Sequence, residues 1–254
     1  MKTALIGHTG FVGSILSKQT VFSDFYNSKN IADIRGKKFK RIVCAGAPAV
    51  KWKANQEPVA DWENIQSLIS HLDQVEAEEF ILISTVDVYR IPNNVDENTE
   101  IIPEEIDPYG KHRYLLEEFV RNRYSNHFIV RLPGLFGEGL KKNVIYDLIH
   151  DNCLHLIHHQ NVFQFYDLSR IWDDISIVTK NNLKLVNFST EPVMVSEIAS
   201  ECFNINFDNV IEKAPVFYNM KSIYSKYFNS SSEYMITKEE LFARIKQFIE
   251  RETK

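Results

Sequence analysis

Three glycines near the start of the chain have a spacing that suits phosphate binding. Gly7, Gly10 and Gly13 follow the apolar residues 2–6 and lead into the amphipathic residues 11–22, a pattern that predicts a strand, a tight turn and a helix. Gly7 permits the turn, Gly10 lets the backbone approach a pyrophosphate, and Gly13 lets the helix pack close to the strand. The helix N-terminus would direct its N–H groups at the phosphates.

The pattern therefore predicts a dinucleotide-binding loop, and the alternative is a loop whose glycines serve only as turn and packing residues. The predicted cofactor contacts in this loop are Gly7, Thr9, Gly10, Phe11, Val12 and Gly13.

The residues after the second predicted strand bear on which dinucleotide is bound. An acid about 20 residues beyond the glycines pairs with the ribose hydroxyls of NAD, whereas a basic residue there accommodates the 2′-phosphate of NADP. This chain has Asn27-Ser28-Lys29-Asn30 at that point. Ser28 and Lys29 would hold a 2′-phosphate through a hydroxyl and a positive charge, but a solvated turn explains them equally well. The expected cofactor is NADP or NAD, with NADP slightly favoured.

The elements that position these residues follow an alternating pattern. Short apolar runs alternate with longer amphipathic segments, which is typical of βαβ units and a parallel sheet. Strands are predicted at residues 2–6, 24–28, 41–45, 80–84, 127–132 and 183–189, and helices at residues 11–22, 59–75, 109–124, 140–151, 196–203 and 238–252. The expected fold is a Rossmann-type, doubly wound parallel α/β sheet. Residues 1–165 would form the NAD(P)-binding domain, and residues 166–254 a small C-terminal substrate-binding cap with elements returning to the sheet.

Composition excludes several other classes of protein. The 254 residues are 44% hydrophobic and 25% charged, as in ordinary globular proteins. The net charge of −5, with scattered lysines and arginines, provides no basic field for nucleic acid. No apolar run approaches the roughly 18 residues of a membrane span, and no export signal is evident.

The chain is expected to be cytoplasmic and to bind no metal. Its three cysteines, Cys44, Cys153 and Cys202, are far apart, which argues against a disulfide framework or a zinc site and fits a reducing compartment.

Several motifs recur in the order found in one enzyme family. Besides the glycine loop they are Ala45-Gly46-Ala47, Ser84-Thr85-Val86-Asp87-Val88-Tyr89, Pro108-Tyr109-Gly110-Lys111-His112-Arg113 and Arg131-Leu132-Pro133-Gly134-Leu135-Phe136-Gly137. Through them, residues 1–140 resemble the NAD-dependent epimerase/dehydratase family, the extended short-chain dehydrogenases that act mostly on nucleotide sugars. The resemblance implies a nucleotide-sugar substrate and a homodimer formed through two helices. It also implies cofactor contacts from Ala45, Gly46, Ala47, Tyr109 and Arg113.

The resemblance assigns catalytic roles to Thr85, Tyr109 and Arg113. Thr85, four residues before Tyr89, matches the Ser or Thr that binds the reacting oxygen, with Ser84 as a nearby alternative. Tyr109 matches the tyrosine that begins a helix as Tyr-x-x-x-Lys. A phenol with a pKa of about 10 must exchange a proton near neutral pH, and a fixed cation beside it favours the phenolate.

Arginine stands where the family has lysine. Arg113 keeps the positive charge, but its planar fork is not equivalent to an ammonium group. Three interpretations follow: Arg113 does the work of the lysine, the enzyme is slow or altered, or the fold binds a nucleotide without redox chemistry. The first is favoured.

The motif after the fourth strand bears on the reaction. Family dehydratases carry Thr-Asp-Glu there, because water elimination needs an acid and a base, whereas Thr85-Val86-Asp87 has one acid, shifted by one place. A dehydratase is therefore disfavoured, and reduction of a keto-sugar is favoured over epimerisation.

Substrate contacts are predicted from Val86, Asn143, Gln164 and Tyr166, although each is also explained as structural. The alternative from another class is a non-catalytic dinucleotide-binding regulatory or scaffold protein.

Overall fold

The computed structural model describes residues 2–252. Its strands are β1 (Thr3–Ile6), β2 (Asp24–Tyr26), β3 (Lys38–Cys44), β4 (Glu76–Thr85), β5 (Asn93–Val95), β6 (His127–Leu132), β7 (Gly134–Phe136), β8 (Val162–Phe163), β9 (Phe165–Asp167), β10 (Leu185–Asn187), β11 (Val193–Met194) and β12 (Asn219–Met220). Its α-helices are α1 (Phe11–Gln19), α2 (Lys51–Gln56), α3 (Pro58–Leu72), α4 (Pro108–Arg123), α5 (Val144–His150), α6 (Ile171–Lys180), α7 (Val195–Phe203) and α8 (Lys238–Glu252). None of the helices in this described range is long and apolar enough to span a membrane.

The chain forms two compact units. The first unit comprises the residues up to Arg90, Glu100–Arg131 and Ile171–Val186, and the second comprises Ile91–Thr99, Leu132–Arg170 and the residues from Asn187 onward. Each unit is assembled from three separate segments, because the chain leaves the first unit after Arg90, after Arg131 and after Val186. The single boundary after residue 165 stays a prediction.

A six-stranded sheet in the order β10-β6-β4-β3-β1-β2 confirms the predicted fold class. The pairs β1–β2, β1–β3 and β3–β4 are parallel. Ile6 is in register with Tyr26 on one side and with Cys44 on the other. The carboxyl ends of β1, β2 and β3 therefore lie at one edge of the sheet, where ligands of doubly wound folds bind.

Both faces of this sheet are buried. Ile42 and Phe80 belong to a core cluster that includes Ile65 of α3 and Leu116 of α4. Neighbouring strand residues point to opposite faces, and the intervening Leu5, Val43 and Ile81 are also fully buried. Strands that are buried on both faces are expected to be continuously apolar, as β3 and β4 are.

The second unit contains three small sheets, which pair β5 with β12, β7 with β9, and β8 with β11. Half-buried Glu97 joins several segments of this unit, because its carboxylate accepts hydrogen bonds from the Asn187 and Ile223 N–H groups and from the Ser222 hydroxyl. Burial raises the pKa of Glu97, and these hydrogen bonds oppose the rise without cancelling it.

Several predicted bounds were wrong. Helix α1 ends at Gln19 rather than at residue 22, because Thr20 has an extended backbone. Helix α5 begins at Val144 rather than at residue 140, since Asn143 has a φ of 122° and caps the helix with its side chain. Helices α2 and α6 have no counterpart among the predicted elements.

Candidate active site

The glycine loop is closely packed on one side and open on the other. Gly7 has a φ of +85°, and a Cβ atom there would lie 2.2 Å from the Ala45 carbonyl oxygen. A Cβ at Gly13 would lie 2.1 Å from the Gly7 carbonyl oxygen. At Gly10 the nearest contact would be 3.3 Å, to the Gly7 carbonyl oxygen. The fold itself therefore requires Gly7 and Gly13, whereas Gly10 leaves room for a ligand.

The first turn of α1 follows this loop directly. Gly10 is the N-cap residue, no side chain caps the turn, and the turn holds no acidic residue. The first N–H groups of a helix have no partner within the helix, and together with the helix dipole they favour an anion. The loop and the helix start therefore fit the pyrophosphate of a dinucleotide.

The turn after β2 presents Ser28 and Lys29 to solvent. The Asn30 side-chain oxygen accepts the Asn27 N–H at 2.7 Å, and the Asn27 side-chain oxygen accepts the Lys29 N–H at 2.9 Å. Ser28 and Lys29 are exposed. Because Tyr26 is in register with Ile6, this turn lies at the same sheet edge as the glycine loop. Lys29 can therefore reach a ligand at that edge through a flexible side chain.

The Ala45-Gly46-Ala47 segment follows β3 at this edge. The Ala45 N–H donates to the Ile6 carbonyl at 2.9 Å, which keeps the segment beside β1. A Cβ at Gly46 would lie 2.9 Å from the Ile6 side chain. The predicted cofactor contacts after β1, β2 and β3 thus lie along one sheet edge.

Thr85 and Tyr109 lie together. Thr85 is the last residue of β4 and Tyr109 is in the first turn of α4, and the Thr85 side chain is close enough to lower the pKa of the Tyr109 phenol. A Cβ at Gly110 would lie 1.9 Å from the Asp87 carbonyl oxygen, so the start of α4 packs directly on the turn after β4. The Tyr109 N–H also donates to the Asn55 side chain at 2.9 Å.

Arg113 lies one helical turn beyond Tyr109 and is held by the protein. It is only 3% exposed. Nη1 donates to Asp61 and, at 3.2 Å, to the Tyr109 carbonyl, while Nη2 donates to Asp61 at 2.9 Å and to the Pro48 carbonyl. Its buried Nε has no hydrogen-bond partner among the described residues. Both terminal nitrogens of Arg113 are therefore engaged with the protein.

The groups around Tyr109 shift the pKa of its hydroxyl in opposite directions. Burial raises the pKa of the Tyr109 hydroxyl, and the nearby Asp87 carboxylate adds to the rise. Arg113 and Lys51 lower that pKa, as does the Thr85 hydrogen bond, but the net shift is upward. For Asp61, burial raises the pKa, but hydrogen bonds from Arg113 and His112 outweigh it, so the pKa is lowered.

An ion pair beside Tyr109 was missed by the sequence analysis. Lys51 Nζ lies 2.6 Å from Asp87 Oδ1. Asp87 accepts a longer hydrogen bond of 3.4 Å from the Thr85 hydroxyl, and its N–H donates to the same oxygen at 3.2 Å. The sequence motif indicates Asp87 only as a dehydratase acid, and no local pattern indicates Lys51, because its helix α2 has only six residues.

A buried ionic network lies behind β4. Glu117 accepts hydrogen bonds from Arg131 at 2.9 and 2.6 Å and from the Ser84 hydroxyl at 2.5 Å. Arg131 also donates to the Tyr89 hydroxyl at 2.8 Å. This network engages Ser84 beside Thr85 and Tyr89 four residues beyond it, so it fixes the segment that carries Thr85.

The predicted substrate residues already have structural roles. Val86 is buried in the turn after β4 of the first unit. In the second unit, the Asn143 amide donates to the Leu135 carbonyl at 2.8 Å while its oxygen caps α5. Gln164 exchanges two 2.7 Å hydrogen bonds with the Met220 backbone. Tyr166 is fully buried with its ring 5.2 Å from that of Phe188. Substrate contact by these residues stays a prediction.

The Rossmann-type fold of this chain is shared with solved structures. No protein-family model matches the sequence, and no curated protein matches it. Solved structures do match over nearly the whole chain. dTDP-4-dehydrorhamnose reductase from Yersinia enterocolitica is 14% identical with a TM-score of 0.74, covering 98% of this chain and 99% of that one.

Two further structures are similar. The corresponding reductase from Bacillus anthracis, in complex with NADP, is 17% identical with a TM-score of 0.76 and covers 99% of both chains. UDP-N-acetylglucosamine 4-epimerase from Methanobrevibacter ruminantium, in complex with UDP-N-acetylmuramic acid, is 12% identical with a TM-score of 0.73. It covers 98% of this chain and 97% of that one. These likenesses confirm the predicted fold.

Proposed function

We propose that the protein is an NAD(P)-dependent oxidoreductase that reduces the keto group of a nucleotide-linked sugar. The observation that carries this proposal is the placement of Thr85 at the end of β4 beside Tyr109 at the start of α4, on a fold whose sheet edge carries a glycine loop open at Gly10. Two of the similar structures are dTDP-4-dehydrorhamnose reductases, which supports reduction as the reaction. Epimerisation would use the same pair and is the secondary reaction.

The glycine loop and the turn after β2 would hold the cofactor. The N–H groups at the start of α1 bind the pyrophosphate, and Ser28 and Lys29 bind a 2′-phosphate, which favours NADP over NAD. A bound nicotinamide dinucleotide supplies the hydride for the reduction. Asp24 on β2 is already hydrogen bonded to Ser23 at 2.8 Å, and Asn27 rather than an acid follows the strand.

Thr85 and Tyr109 would act on the carbonyl oxygen of the substrate. Both hydroxyls can donate hydrogen bonds, so the oxygen is polarised as negative charge develops on it. Tyr109 then gives its proton to that oxygen, which completes the alcohol. The raised pKa of Tyr109 keeps this phenol protonated at neutral pH, and its proton leaves only as negative charge develops on the substrate oxygen.

A non-catalytic dinucleotide-binding protein is the second candidate. The observation that favours it is the engagement of both Arg113 terminal nitrogens by Asp61, Pro48 and Tyr109, which leaves the guanidinium without the role that a lysine would have toward a cofactor. Both candidates predict nucleotide binding, so only turnover separates them.

The test begins with titration of the protein with NADPH and NADH, followed by nicotinamide fluorescence and thermal stability. Oxidation of the bound reduced cofactor is then measured with nucleotide-linked keto-sugars. Tyr109→Phe should retain cofactor affinity but lose about 10²- to 10⁴-fold in turnover. Failure to bind either cofactor at millimolar concentration would remove the proposal, whereas binding without turnover would favour the second candidate.

Homodimer formation and a cytoplasmic location belong to the same proposal. Light scattering on the purified protein tests the first, and fractionation of cells tests the second.

A further inference from the structure

Tyr109 must regain a proton after each reduction, and the route through Arg113 is closed. The Tyr109 side chain is buried, with 9% of the residue exposed. The Arg113 guanidinium carbon lies 4.0 Å from the centroid of the Tyr109 ring, so it faces the ring rather than the hydroxyl. Arginine also stays protonated under all ordinary conditions, and therefore it cannot relay a proton by losing one.

Another set of side chains connects the phenol to solvent. The Thr85 hydroxyl lies beside the Tyr109 phenol and lowers its pKa, Thr85 Oγ1 lies 3.4 Å from Asp87 Oδ2, and Asp87 Oδ1 lies 2.6 Å from Lys51 Nζ. Exposure increases along this series, because the Asp87 side chain is 17% exposed and the Lys51 side chain is 44% exposed. The series begins at a buried hydroxyl and ends at an ammonium group in contact with water.

We propose that Thr85, Asp87 and Lys51 form the path along which Tyr109 is reprotonated from solvent. The inference rests on the proposed function, since a reductase consumes one Tyr109 proton per turnover. It assigns roles to Asp87 and Lys51, which would otherwise form an ordinary ion pair.

The transfer is balanced at each atom. Once Tyr109 has given its proton to the substrate oxygen, Lys51 Nζ gives a proton to Asp87 Oδ1, and rotation of the carboxyl group turns that proton toward Thr85. Thr85 takes it as its own hydroxyl proton passes to the phenolate, and the Lys51 amine takes a proton from water. The net change is one proton moved from water to Tyr109, with every relay group returned to its starting state.

Charged groups on neighbouring elements act on the same phenol. Arg113 on α4 faces it and is paired with Asp61 of α3, which His112 also contacts at 2.7 Å. Asp87 follows β4, and Lys51 begins α2. Substitutions in the path therefore also change the electrostatics at Tyr109, so a rate of proton exchange tests the path more directly than a pH profile.

The first experiment measures exchange of the Tyr109 hydroxyl proton with water and needs no turnover. The protein is labelled with ¹³C at the tyrosine ζ carbons, and the Tyr109 resonance is assigned by its loss in Tyr109→Phe. In a mixture of H2O and D2O, slow exchange gives separate ¹³Cζ signals for the OH and OD forms, whereas fast exchange gives one. Asp87→Asn and Lys51→Met should slow this exchange by about 100-fold.

Lys53→Met is the matched control. Lys53 lies two residues along α2, and within residues 2–252 its side chain forms a long, exposed ion pair of 3.8 Å with Glu57, so its substitution should leave the exchange rate unchanged. The proposal is overturned if Asp87→Asn and Lys51→Met exchange as fast as the wild type, or if Lys53→Met slows exchange equally. If Asp87→Asn does not fold, Lys51→Met decides the matter.

A second experiment uses turnover. In Lys51→Met, the first turnover uses the proton already on Tyr109 and should be faster than later turnovers, which gives a burst of cofactor oxidation. Methylamine added to the buffer should accelerate the later turnovers. Equal slowing of the first and later turnovers, without rescue, would indicate structural damage and contradict the path. If the wild type oxidises no cofactor at all, the proposed function fails, while the hydroxyl exchange still tests the path.

Discussion

The guanidinium carbon of Arg113 lies 4.0 Å from the centroid of the Tyr109 ring, one helical turn away on α4. Asp61 binds the same guanidinium through both of its carboxylate oxygens. Arg113 therefore lowers the pKa of Tyr109 through its charge while its terminal nitrogens stay bound to the protein. A lysine at this position would have a single ammonium group on a flexible stem, and could not form the same planar pair with Asp61.

Loss of this buried pair is expected to destabilise the protein. Arg113→Met leaves the Asp61 carboxylate buried without its arginine, which should lower the free energy of unfolding by about 3–5 kcal/mol. The double variant Arg113→Met/Asp61→Leu should recover part of that loss, because the unpaired carboxylate is removed, although buried His112 then loses its bond to Asp61. Urea denaturation of the wild type and the variants measures both changes. Equal stability of Arg113→Met and the wild type would contradict the assigned pair.

The Arg113–Asp61 pair is expected to make the free energy of unfolding depend on pH in the acidic range. The folded-state pKa of Asp61 is lowered, so the stability that Asp61 supplies is fully present above its unfolded-state pKa of about 3.9. It is lost as the pH falls below that value and through the folded-state pKa. Asp61→Asn should therefore show a smaller loss of stability between about pH 4 and more acidic conditions, measured by denaturant unfolding at each pH. An unchanged acid dependence would contradict the expectation.

Substitutions at Gly7 and Gly139 distinguish the free-energy cost of a steric clash from that of a backbone with positive φ. Gly7 and Gly139 both have a φ of +85°, but a Cβ at Gly139 would meet nothing within 4 Å, whereas one at Gly7 would lie 2.2 Å from the Ala45 carbonyl. Gly139→Ala should cost about 1–2 kcal/mol from strain alone, and Gly7→Ala should cost more and abolish dinucleotide binding. Thermal unfolding and cofactor titration measure the two effects. Retention of binding in Gly7→Ala would show that the close approach is not needed.

The sheet and the glycine loop could be predicted from sequence because local patterns determine them. The apolar runs in β3 and β4 are covered on both faces, so burial appears directly as hydrophobicity. Lys51 illustrates the opposite case. Its helix has only six residues, and its partner Asp87 lies 36 residues further along the chain, a pairing that no local pattern records.

Asn143 and Gln164 illustrate a second limit. Their residue types suit substrate binding, but their amides are used to cap α5 and to bind the Met220 backbone. A sequence shows that a polar group is available, whereas only the fold shows which backbone groups it must satisfy.

Lys29 is expected to set the cofactor preference. Lys29→Ala should weaken binding of NADPH by roughly tenfold, the loss of one charge-assisted hydrogen bond, and leave binding of NADH unchanged. Lys40→Ala is the control, because Lys40 is also an exposed lysine but lies on β3 before its carboxyl end. Fluorescence titration of the wild type and both variants with NADPH and NADH gives the six dissociation constants needed. Equal weakening of NADPH and NADH would assign Lys29 to the pyrophosphate instead of the 2′-phosphate.

The buried Glu117–Arg131 pair is expected to support both stability and turnover. Burial raises the pKa of Glu117, but the charge and hydrogen bonds of Arg131 outweigh it, so the pKa is lowered and the carboxylate stays ionised. Glu117→Gln leaves Arg131 buried with its charge unpaired, which should cost about 3–5 kcal/mol. Because Ser84 bonds to the same carboxylate, the change also loosens the segment that carries Thr85. Turnover should therefore fall even below the temperature at which unfolding begins.

The exposed pair Arg90–Glu105, 2.6 Å apart with side chains 62% and 46% exposed, provides the matched control. Glu105→Gln removes a carboxylate from an arginine just as Glu117→Gln does, but solvent screens the pair, so the expected cost is below about 1 kcal/mol. Calorimetry and steady-state turnover of the two variants distinguish the cases. Equal costs would mean that burial of Glu117 does not determine its contribution, and unchanged turnover in folded Glu117→Gln would mean that the network does not position Thr85.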